Sequence, residues 1–446
     1  MSVSDHLKAL PAPSRWWICT LLLLATTLNY MDRVALNQTS VRIQYALGLT
    51  NEDYGWLEGG FSFAFAVGTL FTGFLVDRVG VRWVYPAVVA GWSLAGFLTG
   101  FAPGYVALLS CRVMLGLFEA GNWPCGIRTV RQVMPPKERS LGNALFQSGT
   151  ALGAVVTPYI VLACIHWADP DEPARFAHFA LGGGTAVAAT GPSPDAAWQT
   201  PFRVVGAVGI VWVILWLVTV RQRTLRAVAE PETSATRAAP FYKVFSDRRF
   251  WILLIVIIGV NTTWHTFRVW LPKFLQSERG YSEADMTFVT TLYYITADIG
   301  SWTVGLTVLG LATLGMRVHT ARMITFVGCT VLAVASVAVP FLDRGPLLTI
   351  ALLTVGFGGL GLFATYFALS QELSAKHQGK VTGTLGAVNA IYLGFVFPYQ
   401  GALIDKFQTV KPVLATASIP AVIAAIAVLV FWPKSTLPLT APPPTR

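Results

Sequence analysis

Long apolar segments recur along the whole chain, and this feature limits the possible folds more than any other. A helix of about 20 apolar residues crosses the ~30 Å hydrocarbon core of a bilayer, where every backbone hydrogen bond must be satisfied internally. Only 12% of the residues are charged, against roughly 25% in soluble proteins. The sequence therefore predicts an all-α polytopic membrane protein.

Twelve such segments can be placed, and they fall into two sets of six. They cover residues 16–41, 54–76, 83–102, 104–127, 139–166, 201–220, 250–275, 286–310, 319–341, 345–371, 380–403 and 412–432. We predict twelve transmembrane helices in two pseudo-symmetric six-helix bundles, over 1–220 and 250–446, with a linker at 221–249. The second bundle ends in a short disordered tail, and the Gly- and Ala-rich stretch 167–200 is predicted to be an irregular outer loop.

The basic residues indicate the orientation of the chain. With the N-terminus inside, the inner segments hold 21 of the 32 Lys and Arg residues and the outer segments hold seven. This asymmetry predicts a multi-pass protein of the inner or plasma membrane, with both termini and the linker in the cytoplasm. On this interpretation, the net charge of +10 comes from the basic loops that orient the protein in the membrane. We therefore expect the lipid bilayer as a partner and no nucleic acid. We also expect a monomer.

Enzyme signatures are missing from the sequence. The six histidines are dispersed without H-x-x-x-H pairs, "HQGKVTG" lacks the phosphate-binding loop of an ATP-driven pump, and the five cysteines have no paired spacing. We therefore expect no enzymatic activity, no cofactor and no metal site.

A charged motif follows the second apolar segment. It reads "GFLVDRVGVR" and contains Gly73, Asp77, Arg78 and Arg82. The motif resembles the signature G-x-x-x-D-R-x-G-x-R of the major facilitator superfamily and matches it at every specified position. The resemblance implies a latch in which these four residues gate the cytoplasmic side of the outward-facing state.

Helix 1 places Asp32 and Arg33 well inside the hydrocarbon region. An ionised residue at such depth costs at least ~2.5 kcal/mol. Adjacent helical residues project about 100° apart, so each of the two needs its own partner elsewhere. Tyr30, Arg33 and Asn37 share one face of the helix, which makes a polar stripe suited to a substrate.

Helices 4 and 5 supply candidate partners. Arg112 and Glu119 lie seven residues apart on one face, with Gly116 between them expected to leave open space, and helix 5 adds Gln147. Two cations and two acids form a network whose vacant cationic pocket would attract an anion. An alternative interpretation is a set of structural ion pairs that holds the half-bundle together.

These segments sharpen the resemblance. "NYMDR", "RVMLGLFEAGNWP", "FRVWLPKFLQSERGYS" and "ADIGSW" are similar to the anion:cation symporter family, whose members import hexuronates, galactonate and related sugar acids with protons. Carried over, Arg33 and Arg112 would coordinate the substrate carboxylate, and Asp32 and Glu119 would be protonated. The expected contacts to substrate hydroxyls come from residues of both halves, namely Tyr30, Gln147, Tyr366 (or its neighbour Phe367) and Asn389.

The C-terminal half contains a weak repeat of a sequence pattern in helix 1. Thr26, Thr27 and Arg33 correspond to Thr262, Thr263 and Arg268. Asp298 in helix 8 is an expected partner for Arg268, either structurally or as a gate. Helix 2 offers Phe61, Phe63 and Phe65 where sugar-acid carriers often place a tyrosine, so the exact sugar stays open.

The predicted function is secondary active import of a small organic anion, most simply a sugar acid such as a hexuronate or aldonate, by proton symport with alternating access. Three alternatives stay open. The first is a sodium-coupled carrier of another organic anion or phosphate, and the second is an uncoupled carrier of such a compound. The third is a non-transporting nutrient sensor on the same fold.

Overall fold

The structure, a computed structural model, describes residues 12–135, 138–168, 196–220, 241–373 and 378–432. Most of the predicted outer loop at 167–200, most of the predicted linker and the predicted tail lie outside the described residues.

The N-terminal half is built from eight α-helices within the described ranges. They are α1 (Ala12–Gln38), α2 (Ser40–Leu47), α3 (Asn51–Val79), α4 (Val81–Thr99), α5 (Tyr105–Glu119), α6 (Asn122–Val133), α7 (Arg139–Ala168) and α8 (Gln199–Thr219).

The described part of the C-terminal half is also entirely helical, with seven α-helices. Its α-helices are α9 (Arg248–Lys273), α10 (Glu283–Thr313), α11 (Val318–Ala333), α12 (Pro346–Leu373), α13 (Gln378–Phe407), α14 (Lys411–Thr416) and α15 (Ile419–Phe431). A short π-helix, Phe274–Glu278, extends α9.

Ten helical segments in the described part are long and apolar enough to cross a membrane. The two remaining predicted spans are α1, which carries Asp32 and Arg33, and the segment of α5 and α6. The latter is interrupted at Ala120 and Gly121, so the break precedes Pro124, which lies inside the first turn of α6. The all-helical, multi-pass fold predicted from the sequence is confirmed.

The two halves meet most closely at one end of the bundle, which we call the closed end. There α3 packs on α13, and the C-terminal part of α7 approaches the start of α10. A Cβ at Gly59 would lie 2.6 Å from the carbonyl oxygen of Gly394, so the two backbones are almost in contact. Only glycine permits such an approach.

Polar contacts reinforce the closed end. Thr50 begins α3 with a capping box to Asp53, and the first two N–H groups of α3, at Asn51 and Glu52, donate to the Asp405 carboxylate of α13 at 3.1 and 2.8 Å. A carboxylate is well placed there because a helix N-terminus carries unpaired donors and partial positive charge.

An ion pair also joins the halves at the same end. Arg42 donates twice to Glu283, at 2.6 and 2.7 Å. Lys273 of α9 donates to Gln44 at 2.8 Å and also to Asn51.

Helices α3 and α13 diverge towards the other end of the bundle, which we call the open end. A Cβ at Gly73 of α3, or at Gly383 and Gly386 of α13, would have no neighbour within 4 Å. The structure is therefore closed at the end that holds the 42–54 segment and open at the end where α1 begins.

Candidate functional site

Five charged side chains are gathered between the halves, near the middle of the bundle. They are Arg33 of α1, Glu58 of α3, Arg112 and Glu119 of α5, and Arg268 of α9. Four of them are at most 3% exposed, and Arg33 keeps 14% exposure of its side chain. Charges this deep must be paired, because desolvation of an isolated ion costs several kcal/mol.

Arg33 forms the shortest pair of this group. Its Nε donates to Oε2 of Glu119 at 2.6 Å. Arg33 thus finds its partner on α5, as expected from the argument that Asp32 and Arg33 cannot face each other.

Phe61 of α3 lies beneath both of the predicted substrate arginines. The Cζ atoms of Arg33 and Arg112 lie 4.8 and 4.7 Å from the centroid of its ring, and Arg33 also lies 4.9 Å from the Phe65 ring. A desolvated cation–π contact can stabilise a guanidinium by about 2 kcal/mol. The ring therefore fixes two cations near each other despite their repulsion.

Gly116 explains how Phe61 reaches this position. A Cβ there would overlap the backbone carbonyl of Phe61, so α5 and α3 touch at this point. The expectation that Gly116 leaves open space is wrong, because the missing side chain is used for close helix packing instead.

Glu58 links the two halves of the bundle. Its carboxylate accepts from Arg268 Nη2 and from Asn37 Nδ2, both at 2.9 Å, and its Oε1 lies 3.6 Å from Arg112 Nη2. Arg268 also donates to Asn37 Oδ1 at 2.9 Å and to His265 Nδ1 at 3.0 Å. This network connects the predicted anion site to the C-terminal half.

Several polar atoms of the cluster lack a hydrogen-bond partner within the described part of the chain. They are Nε and Nη2 of Arg112, Oε1 of Glu119 and Oδ1 of Asp32. Buried polar atoms are rarely left unpaired, and such gaps indicate a role or an absent ligand. Two free donors on one buried guanidinium suit an anion, and the free carboxylate oxygens suit protons.

Asp32 projects from α1 in a different direction from Arg33, towards Gly96 of α4. It is 3% exposed, and its Oδ1 would lie 2.6 Å from a Cβ placed on Gly96 of α4. Asp32 is still close enough to Glu119, Arg112 and Arg33 to interact with them electrostatically. Asp32 therefore lies outside the five-residue cluster but within electrostatic range of its charges.

The predicted hydroxyl-binding residues are more dispersed. Tyr30 is half-buried and within electrostatic range of Arg268, whereas Gln147 is exposed on α7. Asn389, 7% exposed, lies on the open-end side of the Gly394 contact, and its Oδ1 has no partner among the described atoms. Tyr366 packs into the core of the C-terminal half, at 3% exposure, and only its neighbour Phe367 is exposed.

The predicted gating residues lie at the open end. Gly73 has open space around it, and Arg78 is exposed beside the Phe74 ring, at 5.3 Å from its centroid. Arg82 donates to the carbonyl of Val220, which ties the α3–α4 connection to the end of α8. The side chain of Asp77 lies outside the described residues, so its role stays a prediction.

Sequence reasoning missed Glu58 and gave Arg268 a wrong partner. Arg268 pairs with Glu58 and Asn37, while Asp298 accepts a hydrogen bond from Trp302 on its own helix. The sequence signal for Glu58 is weak, because Glu58 is the fifth residue of predicted helix 2 (54–76) and follows Glu52 and Asp53, so it resembles a residue at the membrane interface.

Comparison with known proteins identifies the class. The sequence profile of the Major Facilitator Superfamily matches residues 22–398. The chain belongs to this superfamily, and it is a multi-pass membrane transporter and not an enzyme.

Relatives narrow the class. The chain is 23% identical to a D-galactonate transporter of Escherichia coli, over 95% of this chain and 96% of the relative. It is 22% identical to a hexuronate transporter of Escherichia coli, over 94% and 93% of the two chains. A probable galactarate/D-glucarate transporter of Bacillus subtilis is 24% identical over 86% and 85%. These similarities support a transporter of organic anions.

A solved structure shows the same fold. A bacterial homologue of the human lysosomal transporter Spinster, in an inward-facing and unoccupied conformation, superposes with a TM-score of 0.75 at 18% identity. The similarity covers 94% of this chain and 96% of that one.

Proposed function

We propose that the protein is a proton-coupled symporter that imports a sugar acid, such as an aldonate or a hexuronate, by alternating access. The observation that carries this proposal is the pair of buried arginines, Arg33 and Arg112, held over one Phe61 ring with donors of Arg112 left unpaired.

The arginine pair suits a carboxylate. A guanidinium presents its N–H groups in a planar fork that matches two carboxylate oxygens, and the aromatic ring beneath leaves its edge free for this contact. Three arginines and two glutamates give the five-residue cluster a formal charge of +1. A monovalent anion would neutralise it.

The rest of a sugar acid needs neutral hydrogen-bonding groups. Asn389 supplies an unpaired buried oxygen, and Gln147 and Tyr30 supply further polar atoms from α7 and α1. Tyr366 is a weaker candidate because its side chain is buried in a hydrophobic core, so we favour Phe367 as the exposed aromatic of α12.

Asp32 and Glu119 are the proposed proton carriers. Each has a carboxylate oxygen without a hydrogen-bond partner in the described residues, and both lie in the field of the arginines. An arriving anion engages the arginines and adds negative charge, which favours protonation of a neighbouring carboxylate. Anion and proton binding would then favour each other by linkage.

The proposed orientation places the termini and the open end in the cytoplasm of a cell whose inner or plasma membrane holds the protein. The basic residues support this orientation, because they concentrate in the segments at the open end.

Proteoliposomes with an imposed pH gradient provide the test. Wild-type protein should accumulate D-galactonate or D-glucuronate against a gradient, and an uncoupler should abolish accumulation. Asp32→Asn and Glu119→Gln should still exchange labelled for unlabelled anion but fail to accumulate it. The matched control is Asp298→Asn, which removes a half-buried membrane carboxylate that interacts with Trp302, and it should accumulate normally.

Two results would contradict the proposal. Accumulation that ignores the pH gradient and follows a sodium gradient would replace protons with sodium as the coupling ion. An absence of both exchange and accumulation, with retained anion binding, would favour a sensor.

A further inference from the structure

Glu58 occupies an unusual position between two arginines of opposite halves. Arg112, proposed to hold the substrate, lies 3.6 Å from one of its oxygens, and Arg268 of α9 donates to the other at 2.9 Å. Glu58 is fully buried. It is therefore the one carboxylate of the five-residue cluster that touches both the predicted anion site and the opposite half of the bundle.

The two arginine contacts of Glu58 differ in strength. The contact with Arg268 has hydrogen-bond length and is supported by Asn37, which bonds both partners. The contact with Arg112 is too long for a hydrogen bond, and the Nη2 atom concerned is unpaired among the described residues. In this conformation, the Glu58 carboxylate is hydrogen-bonded to Arg268 of the other half, and the unpaired donors of Arg112 are available to an anion.

Opening of the closed end would reverse this balance. Arg268 would withdraw with the C-terminal half, and Glu58 would keep only Asn37 and Arg112 of its own half as partners. A buried carboxylate that loses one cation strengthens its pairing with the other. Glu58 would then compete with an incoming anion for Arg112.

We propose that Glu58 couples occupancy of the arginine site to closure of the bundle. An anion bound to Arg112 displaces Glu58, which then pairs with Arg268 and draws the closed end together. By linkage, the closed-end conformation binds the anion more tightly than the open one. This inference rests on the proposed function, since it assigns Arg112 to anion binding.

A cysteine at Thr290 can report opening of the closed end. Thr290 of α10 is 1% exposed and accepts a hydrogen bond from Gln38 of α1 across the interface, at 3.3 Å. The five native cysteines are all buried, so the parent protein serves as the blank. In intact cells, an impermeant maleimide should label Thr290→Cys only when this end opens to the outside.

Glu58→Gln should raise the labelling rate at least about tenfold, because Arg268 loses its carboxylate partner. Arg268→Gln should do the same. The double variant Glu58→Gln with Arg268→Gln should label no faster than either single variant, because all three lack the same interaction. The double variant also leaves neither partner as an isolated charge, so it guards against misfolding of the single variants.

Glu283→Gln is the matched control. It also removes a carboxylate that pairs across the interface, here with Arg42, but this pair lies at the end of the bundle and has no contact with Arg112 among the described residues. Labelling should rise in this variant too. Added D-galactonate or D-glucuronate should slow labelling of the wild type and of Glu283→Gln, and should have no effect on Glu58→Gln.

The outcomes separate this inference from the proposed function. Wild-type labelling rates in Glu58→Gln, or anion-dependent labelling of that variant, would overturn the role of Glu58. If no anion changes labelling or enters vesicles even in the wild type, the proposed function fails. The rates without anion would then still decide whether the Glu58–Arg268 pair holds the end closed.

Discussion

At the scale of single residues, the site shows how a membrane protein keeps two like charges together. Arg33 and Arg112 share the Phe61 ring, and each has a carboxylate nearby, Glu119 at 2.6 Å and Glu58 at 3.6 Å. The longer contact leaves Arg112 as the under-satisfied cation. We therefore expect Arg112 to contribute most of the binding energy for an anion.

Arg112→Lys should reduce the initial rate of sugar-acid uptake at least about tenfold while the protein still folds, because an ammonium is a point charge without a planar fork. Uptake of labelled anion into cells, normalised to protein in the membrane, measures this loss. Arg344→Lys is the control, since Arg344 forms an exposed pair with Asp285. Normal transport by Arg112→Lys would remove Arg112 from the carboxylate site.

Phe61→Leu should raise KM roughly tenfold, because Arg33 and Arg112 each lose a cation–π contact, and a tenfold change corresponds to about 1.4 kcal/mol, within the range of one such contact. Phe101→Leu removes a comparable contact, with Arg203 at 4.3 Å from the ring centroid, on an exposed ring outside the cluster. Concentration-dependent uptake by both variants tests the difference. An unchanged KM for Phe61→Leu would show that the ring only fills space.

The sequence predicted most of the charged residues of the site but not which of them form pairs. Asp32, Arg33, Arg112 and Glu119 could be found because charged residues are costly inside apolar segments. Glu58 lies close to the predicted start of helix 2, where a carboxylate reads as an interfacial residue. Its partner Arg268 is 210 positions away in the chain, and only tertiary packing brings the two together. The weak repeat that relates Arg33 to Arg268 was the one sequence signal that linked the halves.

At the scale of helices, glycine positions decide where helices touch and where they separate. Gly116 brings α5 against the backbone of α3, whereas a Cβ added to Gly73 of the same α3 would have no neighbour within 4 Å. The sequence alone does not predict which of these two glycines packs closely against a neighbour. A glycine in a predicted helix gives the same pattern whether it faces another backbone or open space.

Gly116→Ala should lower the free energy of unfolding by about 1–3 kcal/mol, because its methyl group overlaps the Phe61 carbonyl. Gly73→Ala should not destabilise this conformation and should add about 0.5–1 kcal/mol of helix stability. Thermal unfolding in detergent compares the two. If the motif around Gly73 closes during transport, Gly73→Ala should nevertheless slow uptake. Equal melting temperatures for both variants would contradict the packing argument.

At the scale of the whole molecule, the described parts of the two halves meet closely at one end of the bundle and diverge at the other. Asp405 accepts from the first two N–H groups of α3, so a side chain of one half completes a helix of the other. The hydrophobic segments predicted this two-half architecture, because length and apolarity identify spanning helices. They carry no information on which end is closed, since the length and apolarity of a segment are the same whichever ends of the helices touch.

Gly59→Ala should shift the molecule away from this conformation, because the new methyl group meets the Gly394 carbonyl only when the end is closed. Spin labels on cysteines at Gly73 and Gly386, both at the open end, should move closer together in this variant. Pulsed electron paramagnetic resonance measures that distance. Gly305→Ala, on a helix surface with no neighbour within 4 Å, is the control. Identical distance distributions in both variants would mean that the Gly59–Gly394 contact does not set the equilibrium.

The charge count of the buried cluster has a further consequence for energetics. With Asp32 ionised, three arginines balance three carboxylates, and with Asp32 protonated and one monovalent anion bound, the sum is again zero. A membrane voltage does work of about 2.3 kcal/mol per 100 mV only on a charge that moves through it. Import of a monoanion with one proton should therefore be electroneutral, driven by the pH difference and indifferent to the electrical potential. A dicarboxylate would require a second proton, so Asp32 and Glu119 would both have to be protonated.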